Sequence, residues 1–154
     1  MSQSLTLDDV QRDVLAHELD VLVRRLPDEA ARAPYLRLRA AVETGEVPED
    51  LFGHLENLIE LALQTGRARR FHRAEGEQAL IRLFHRTPRG RAAAEQVQTL
   101  NAALAALRGQ VIDSVQVSAS APGSYSITID TDRCVLTIKV DRAGARVESM
   151  AIGV

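Results

Sequence analysis

The hydrophobic periodicity of this chain changes once, close to Gly109. Before that residue, apolar side chains recur every three or four positions, as they do on one face of an α-helix. After it, they alternate with polar side chains, as they do in β-strands that are buried on one side. Because helices come first and strands afterwards, the order of elements predicts an α+β fold.

The N-terminal part is expected to contain four or five helices. The first is predicted to begin at Thr6, whose hydroxyl can cap the helix, and to end at Pro27. A second helix is predicted over residues 34–44, with Pro34 in its first turn, where a missing N–H is tolerated.

The later helices have clearer signals at their ends. The third begins near Pro48 and ends at Gly66, a residue type that commonly follows a helix. Thr87 and Pro88 suit an N-cap and a first helical position, so the fifth helix is predicted to run from there to Gly109. Its apolar residues follow a heptad-like spacing: Ala93, Val97, Leu100, Leu104 and Leu107.

The alternating part predicts a three- or four-stranded antiparallel meander. Three short turns, each with Gly or Asp, separate the alternating segments. One face of the sheet is apolar and is expected to pack on the fifth helix, over residues 88–108. The predicted strands lie within residues 111–119, 124–130, 134–141 and 145–152.

The domain organisation is predicted to be one compact unit with two parts. Residues 1–87 form the helical part, which includes most of a basic segment at 66–91, and residues 88–154 form the last helix and the meander. Apolar residues make up 45% of the chain, which is enough for a core, whereas aromatic residues make up only 3%. An aromatic-lined pocket for a flat cofactor is therefore not expected, and no cofactor is predicted.

Charge is distributed unevenly along the chain. The formal net charge is −2, but residues 1–65 carry a net −7 and residues 66–91 carry a net +6. All but one of the basic residues are arginines, which bind carboxylates and phosphates through a planar fork. The basic segment can therefore bind an external polyanion, or it can dock on acidic residues of its own or a second chain.

A helical projection of residues 67–86 shows a conflict. Leu80, Leu83 and their neighbours cluster on one side, and in a straight helix Arg69 and Arg73 would fall on that same side. We therefore predict that residues 66–76 form a separate arginine-bearing turn or loop, with a break near Gly76. Residues 77–86 are predicted to form a short core helix.

This misfit makes the first arginines the candidate contact surface. The pattern Arg-x-Phe-His-Arg occurs at residues 69–73 and again at 82–86, but the two copies lie about 220° apart around a helix and cannot form one ladder. The residues predicted to bind an anion or a partner are Arg67, Arg69, Arg70, Phe71, Arg73, Arg89 and Arg91.

Two non-catalytic functions compete for this surface. The first is a protein-interaction or assembly module, homo-oligomeric, which the heptad-like helix faces and an open meander edge favour. The second is binding of nucleic acid or another polyanion, with Phe71 as a stacking platform. No helix-turn-helix or zinc-finger pattern supports the second function, and the overall pI near 6.1 weakens it.

An enzymatic function has the least support. The four histidines, His17, His54, His72 and His85, lack the spacing of a helix-borne metal site, so no metal or catalytic residue is predicted. Cys134 falls on the apolar face of a strand and is interpreted as a small core residue. The N-terminus lacks the pattern of a signal peptide, and no apolar run approaches the roughly 18 residues that span a bilayer. A cytoplasmic protein without membrane contact is therefore expected.

Overall fold

The computed structural model describes residues 1–153 and consists of helices followed by a sheet. The helices are α1 (Asp9–Arg25), α2 (Glu29–Thr44), α3 (Phe52–Gln64), α4 (Arg67–Phe84) and α5 (Pro88–Ala105). Strands β3 (Ile112–Ala121), β4 (Ser124–Thr131), β5 (Cys134–Asp141) and β6 (Gly144–Ile152) form an antiparallel sheet in the order β3-β4-β5-β6. The predicted α+β fold, with its helical part and antiparallel meander, is confirmed.

Two short strands were not predicted. They are β1 (Ser4–Thr6) and β2 (Glu46–Pro48), which pair antiparallel and place Leu5 opposite Val47 in the core. A single 3₁₀ turn, Glu49–Leu51, joins β2 to α3. Three residues are too few to show alternation, so the sequence pattern could not reveal these strands.

The predicted helix starts were wrong in two places. Thr6 belongs to β1, and the cap of α1 is Asp8, whose carboxylate accepts from the backbone N–H of Gln11 while the Gln11 side chain accepts from that of Asp8. Helix α2 begins after Asp28, so Pro34 lies inside the helix and not in its first turn. In both cases an aspartate is the cap, two residues after the predicted start of α1 and six residues before the predicted start of α2.

The described chain divides into two compact units, Met1–Arg91 and a second that begins at Ala92. In the first unit, side chains from α1 to α4 and from the two short strands form one aliphatic core. Its fully buried members are Leu15, Leu19, Leu38, Leu55, Ile59, Leu80, Leu83, Val42 and Val47.

The predicted N-cap at Thr87 is confirmed. Its hydroxyl oxygen accepts from the backbone N–H of Gly90 at 3.2 Å, and Thr87 is fully buried. Helix α5 ends at Ala105 and is followed by turns up to Gly109, which has a positive φ of 79°.

In the second unit, β6 contacts α5, and a groove between them is lined by Gln96, Thr99, Arg146 and Val147 among others. The apolar face of the sheet consists of cross-strand rows. One row is Val115, Ile129, Leu136 and Met150, and the next is Val117, Ile127, Ile138 and Val147.

Two irregularities keep this face apolar where the sequence does not alternate cleanly. A register shift at Asp113 places Ile112 on the same face as Val115, although the two are three residues apart. A second shift at Glu148 does the same for Val147 and Met150. The bulge at Glu148 explains why apolar and polar residues do not alternate regularly along β6.

The prediction of a loop over residues 66–76 was wrong. Residues 67–84 are helical except at Arg73, which has φ 61° and ψ −171° and breaks α4 into two pieces. The break therefore lies three residues before Gly76, which is buried within the second piece. The conflict in the helical projection was real, since the kink at Arg73 leaves both Arg69 and Arg73 exposed.

Within residues 1–153, no helix is both long enough and apolar enough to cross a membrane.

Candidate functional site

The predicted contact residues do not form one continuous surface. Arg67 turns inward and pairs with Glu18 of α1, and Arg69 pairs with Glu77 at 3.2 Å. Arg89 lies against α3, where its guanidinium reaches Glu60 at 3.2 Å and Asn57 at 2.8 Å. Three of the seven residues therefore pair with acidic residues of their own chain, which was one of the two alternatives.

The remaining arginines face outward. In residues 1–153, Arg70, Arg73 and Arg91 are exposed and form no ion pair. Phe71 is 50% exposed, and its ring is flanked by the guanidinium carbons of Arg67 and Arg70, at 4.5 and 5.4 Å from the ring centre. The exposed arginines next to the α4 kink that form no ion pair within residues 1–153 are thus Arg70 and Arg73.

A second carboxylate supports the start of α5. Glu56 is buried, and its Oε2 accepts from the backbone N–H of Arg89 at 2.6 Å, at the positive end of the helix. Arg89 therefore has a structural role in joining α5 to α3.

The buried carboxylate of Glu18 is the centre of a polar cluster between α1 and α4. Arg67 Nε donates to Oε2 at 2.9 Å, and Nη2 of the same guanidinium lies 3.4 Å from Oε1. The Nε2 atom of His72 lies 2.8 Å from Oε1, and Nδ1 of His17 lies 3.4 Å from it. Glu18 is 4% exposed, so these contacts replace the water that it would otherwise bind.

The contacts determine the charge of Glu18. Burial raises the pKa of this carboxyl, but hydrogen bonds from Arg67 and His72 and the charge of Arg67 outweigh burial, and the net pKa lies below its ordinary value. Glu18 is therefore a carboxylate at neutral pH, held between one fixed cation and two imidazoles.

Gly76 and Arg73 position His72. A Cβ atom at Gly76 would overlap the Cβ of His72 and would lie 3.2 Å from Cγ2 of Val14, so His72 can occupy its place only beside a glycine. The kink at Arg73 follows His72 directly and ends the first piece of α4. Arg73 adopts a conformation that is essentially restricted to glycine, at a cost of about 1–3 kcal/mol.

An open groove of about 420 Å³ lies beside the cluster. Asp13, His17, His72 and Glu75 supply its polar groups, and Val10, Val14, Phe71 and Gly76 complete its walls. The groove is thus bordered by two further carboxylates and opens to solvent next to the two imidazoles.

This cluster was not predicted. The spacing of the histidines along one helix contains no signal for it, since His72 comes from α4, 54 residues after Glu18. The donor types were visible, but their meeting depends on the packing of α1 against α4. The donor atoms of His17, Glu18 and His72 lie within 4.8 Å of one another, as a metal site requires.

A second candidate surface is the uncovered half of the apolar face in the second unit. Cys134, Leu136 and Ile138 on β5 are buried, whereas every residue of β3 is exposed. Val115 and Val117 are 55% and 66% exposed although they share the face of the buried residues. The interpretation of Cys134 as a small core residue agrees with its burial beside Thr131, whose hydroxyl oxygen accepts from the Cys134 N–H at 3.0 Å.

Comparison with protein-family models, curated proteins and solved structures finds no significant match to this chain.

Proposed function

We propose that this protein is a non-catalytic assembly module that forms homo-oligomers through strand β3. One observation supports this most strongly: the apolar face of the sheet continues onto β3, where its side chains are exposed and not buried. Exposed apolar side chains that are contiguous with a core are typical of surfaces that become buried by association.

The edge of β3 favours strand pairing. This strand is ten residues long, lies at one end of the sheet, and has Asp113 as its single charged residue. Natural edge strands are usually protected from pairing by charge, proline or short length. Beyond the bulge at Asp113, β3 has none of these protections, so it is suited to accept a further strand.

A second copy of β3 fits this edge with its side chains in register. In an antiparallel pair that is symmetric about Gln116, Val115 lies opposite Val117 of the other copy, and both valines stay on the apolar face. A shift by one residue would place valine opposite serine or glutamine, so the pattern selects among registers. The result is an eight-stranded sheet whose apolar face continues across the dimer.

The exposed arginines are a second contact surface in this proposal. Arg70 lies over the ring of Phe71 and Arg73 forms the α4 kink, and no carboxylate of residues 1–153 pairs with either arginine. An acidic face of another copy or of a partner protein is the chemistry that they would bind.

Light scattering coupled to gel filtration tests the proposed function. At about 100 µM, the wild type is expected to elute at a mass near twice 16.9 kDa, and the Val115→Lys/Val117→Lys variant near 16.9 kDa. The matched control is Ser126→Lys/Thr128→Lys, which adds the same charge to the polar face of the neighbouring strand β4, away from the paired edge. A monomeric wild type, or equal masses for the two variants, would refute association through this face.

Binding of nucleic acid or another polyanion is the second candidate function. Its support is that Arg70 and Arg73 form no ion pair within residues 1–153 and that the Arg70 guanidinium lies beside the exposed ring of Phe71. A mobility-shift titration at ~50 mM salt tests it with Arg70→Ala/Arg73→Ala, and with Arg24→Ala/Arg25→Ala as a control that removes equal charge elsewhere. Binding that falls in the first variant and not in the second would favour this function, whereas no binding by the wild type would exclude it.

A further inference from the structure

We propose that His17, Glu18 and His72 form a binding site for a divalent transition-metal ion, with zinc as the representative ion. Two imidazoles and one carboxylate are a recurring ligand set for such ions, and it is distinct from the all-oxygen sets that Ca²⁺ and Mg²⁺ prefer. The site goes beyond the assembly function, because it lies in the first unit and uses other residues.

The distances between the donor atoms suit a small ion. Zinc–nitrogen and zinc–oxygen bonds of about 2.0–2.1 Å with tetrahedral angles separate neighbouring donors by roughly 3.3 Å. The separation from Glu18 Oε1 is 3.4 Å for His17 Nδ1 and 2.8 Å for His72 Nε2, and all three atoms lie within 4.8 Å of one another. His72 and His17 are each close to this spacing from Glu18, and closing the gap between the two imidazoles requires a shift of at most about 1.5 Å.

The two oxygens of Glu18 have separate partners. Arg67 Nε occupies Oε2 at 2.9 Å, while both imidazoles approach Oε1. Arg67 thus resembles the outer hydrogen-bond donors that orient ligating carboxylates in metal sites. Because its positive charge opposes a second cation, the carboxylates of Asp13 and Glu75 at the groove are needed to offset it.

Metal binding would replace the hydrogen bond between His72 and Glu18. The imidazole donates through Nε2–H in the ion-free protein, whereas a ligand nitrogen must present a lone pair. His72 therefore binds as the neutral tautomer with its proton on Nδ1: the Nε2 proton leaves to solvent, Nδ1 holds the ring's one remaining proton, and the metal–nitrogen bond forms at Nε2.

The open groove leaves room for further ligands. His17 is half-exposed, and the groove of about 420 Å³ lies beside both histidines. Three protein ligands plus one water is the arrangement of zinc sites that keep a coordination position open, whereas structural zinc is enclosed by four protein ligands. We therefore expect one ion per chain, with a water ligand on the side of the groove.

Isothermal titration of chelator-treated protein with Zn²⁺ at neutral pH tests this site. The wild type is expected to bind one ion per chain with a Kd of about 10 µM or tighter. Because His17 is exposed, we expect His17→Ala to fold. We expect this variant to bind zinc at least about tenfold more weakly than the wild type, and we expect the same of His72→Ala.

His85→Ala is the matched control, because it removes an exposed histidine that lies outside the cluster. This variant should bind zinc as the wild type does. Circular dichroism of each variant separates loss of ligand from loss of fold. Binding that is weak or non-stoichiometric in the wild type, or unchanged in both His17→Ala and His72→Ala, would overturn the proposal.

Discussion

His72 and Glu18 are 54 residues apart in sequence, yet Nε2 of the histidine lies 2.8 Å from the glutamate Oε1. The pair joins α1 to α4 at the point where Arg73 breaks α4. Arg67 contacts the other carboxylate oxygen, so Glu18 receives hydrogen bonds from two residues of α4 and fixes the direction of the first piece of that helix.

Removal of Arg67 should destabilise the fold strongly. Arg67→Ala leaves the buried carboxylate of Glu18 without its cation, and the loss of one partner of a buried pair costs about 3–5 kcal/mol. Arg69→Ala is the control, since its pair with Glu77 is solvent-exposed on the arginine side and should change the free energy of unfolding by less than ~1 kcal/mol. Urea unfolding in the presence of a chelator measures both. Equal losses of unfolding free energy in the two variants would show that the buried carboxylate of Glu18 does not need the positive charge of Arg67.

Two helical glycines should respond oppositely to alanine. Gly53 in α3 has no atom within 4 Å of an added Cβ, so Gly53→Ala should stabilise by about 0.5–1 kcal/mol through helix propensity. Gly76→Ala forces His72 away and should destabilise by about 1–3 kcal/mol. Chemical denaturation compares the stabilities, and the imidazole NMR signals report whether His72 moves. Stabilisation by both substitutions would mean that His72 does not need Gly76.

The backbone at Arg73 predicts a further contrast. Arg73→Gly relieves an unfavourable φ and should stabilise by up to about 1 kcal/mol after the entropy cost of glycine. Arg70→Gly, three residues earlier in regular helix, should instead cost about 1 kcal/mol. Thermal and urea unfolding would both show the difference in sign. A loss of stability in both variants would contradict the unfavourable backbone conformation assigned to Arg73.

The ion pair between Asp141 and Arg146 should make the stability of the second unit depend on pH. Hydrogen bonds from Arg146 and from the Ala143 N–H lower the pKa of Asp141. Because the folded state favours the carboxylate, its contribution is present above the unfolded pKa of about 3.9 and is lost as pH falls through the lower folded pKa. An NMR titration of the Asp141 carboxyl should show the pKa rise in Arg146→Ala and stay low in the control Arg142→Ala. An unchanged pKa in Arg146→Ala would refute the role of this pair.

The fold could be predicted wherever a pattern continued for several residues. The change of period near Gly109 and the N-cap at Thr87 placed the sheet and α5 correctly. The projection of residues 67–86 detected a real conflict, but it assigned the break to Gly76 because glycine is the residue that tolerates unusual backbone angles. The chain instead breaks at Arg73, where the hydrogen bond of His72 and the packing of Gly76 outweigh local preference.

The candidate sites were less predictable because they depend on contacts between distant segments. Arg67 was predicted to contact an anion or a partner, whereas it pairs with Glu18, which is 49 residues away, and no local pattern marks that carboxylate as buried. The exposure of β3 could not be predicted from the sequence either, since an alternating strand has the same sequence pattern whether its apolar face is buried or exposed to solvent.

Sedimentation equilibrium is the most direct test of self-association through β3. Over protein concentrations from about 1 to 300 µM, mass action predicts that the weight-average mass rises from 16.9 kDa toward twice that value. In Val115→Lys/Val117→Lys it should stay at 16.9 kDa throughout. A wild type that remains at 16.9 kDa over the whole range would contradict association through β3.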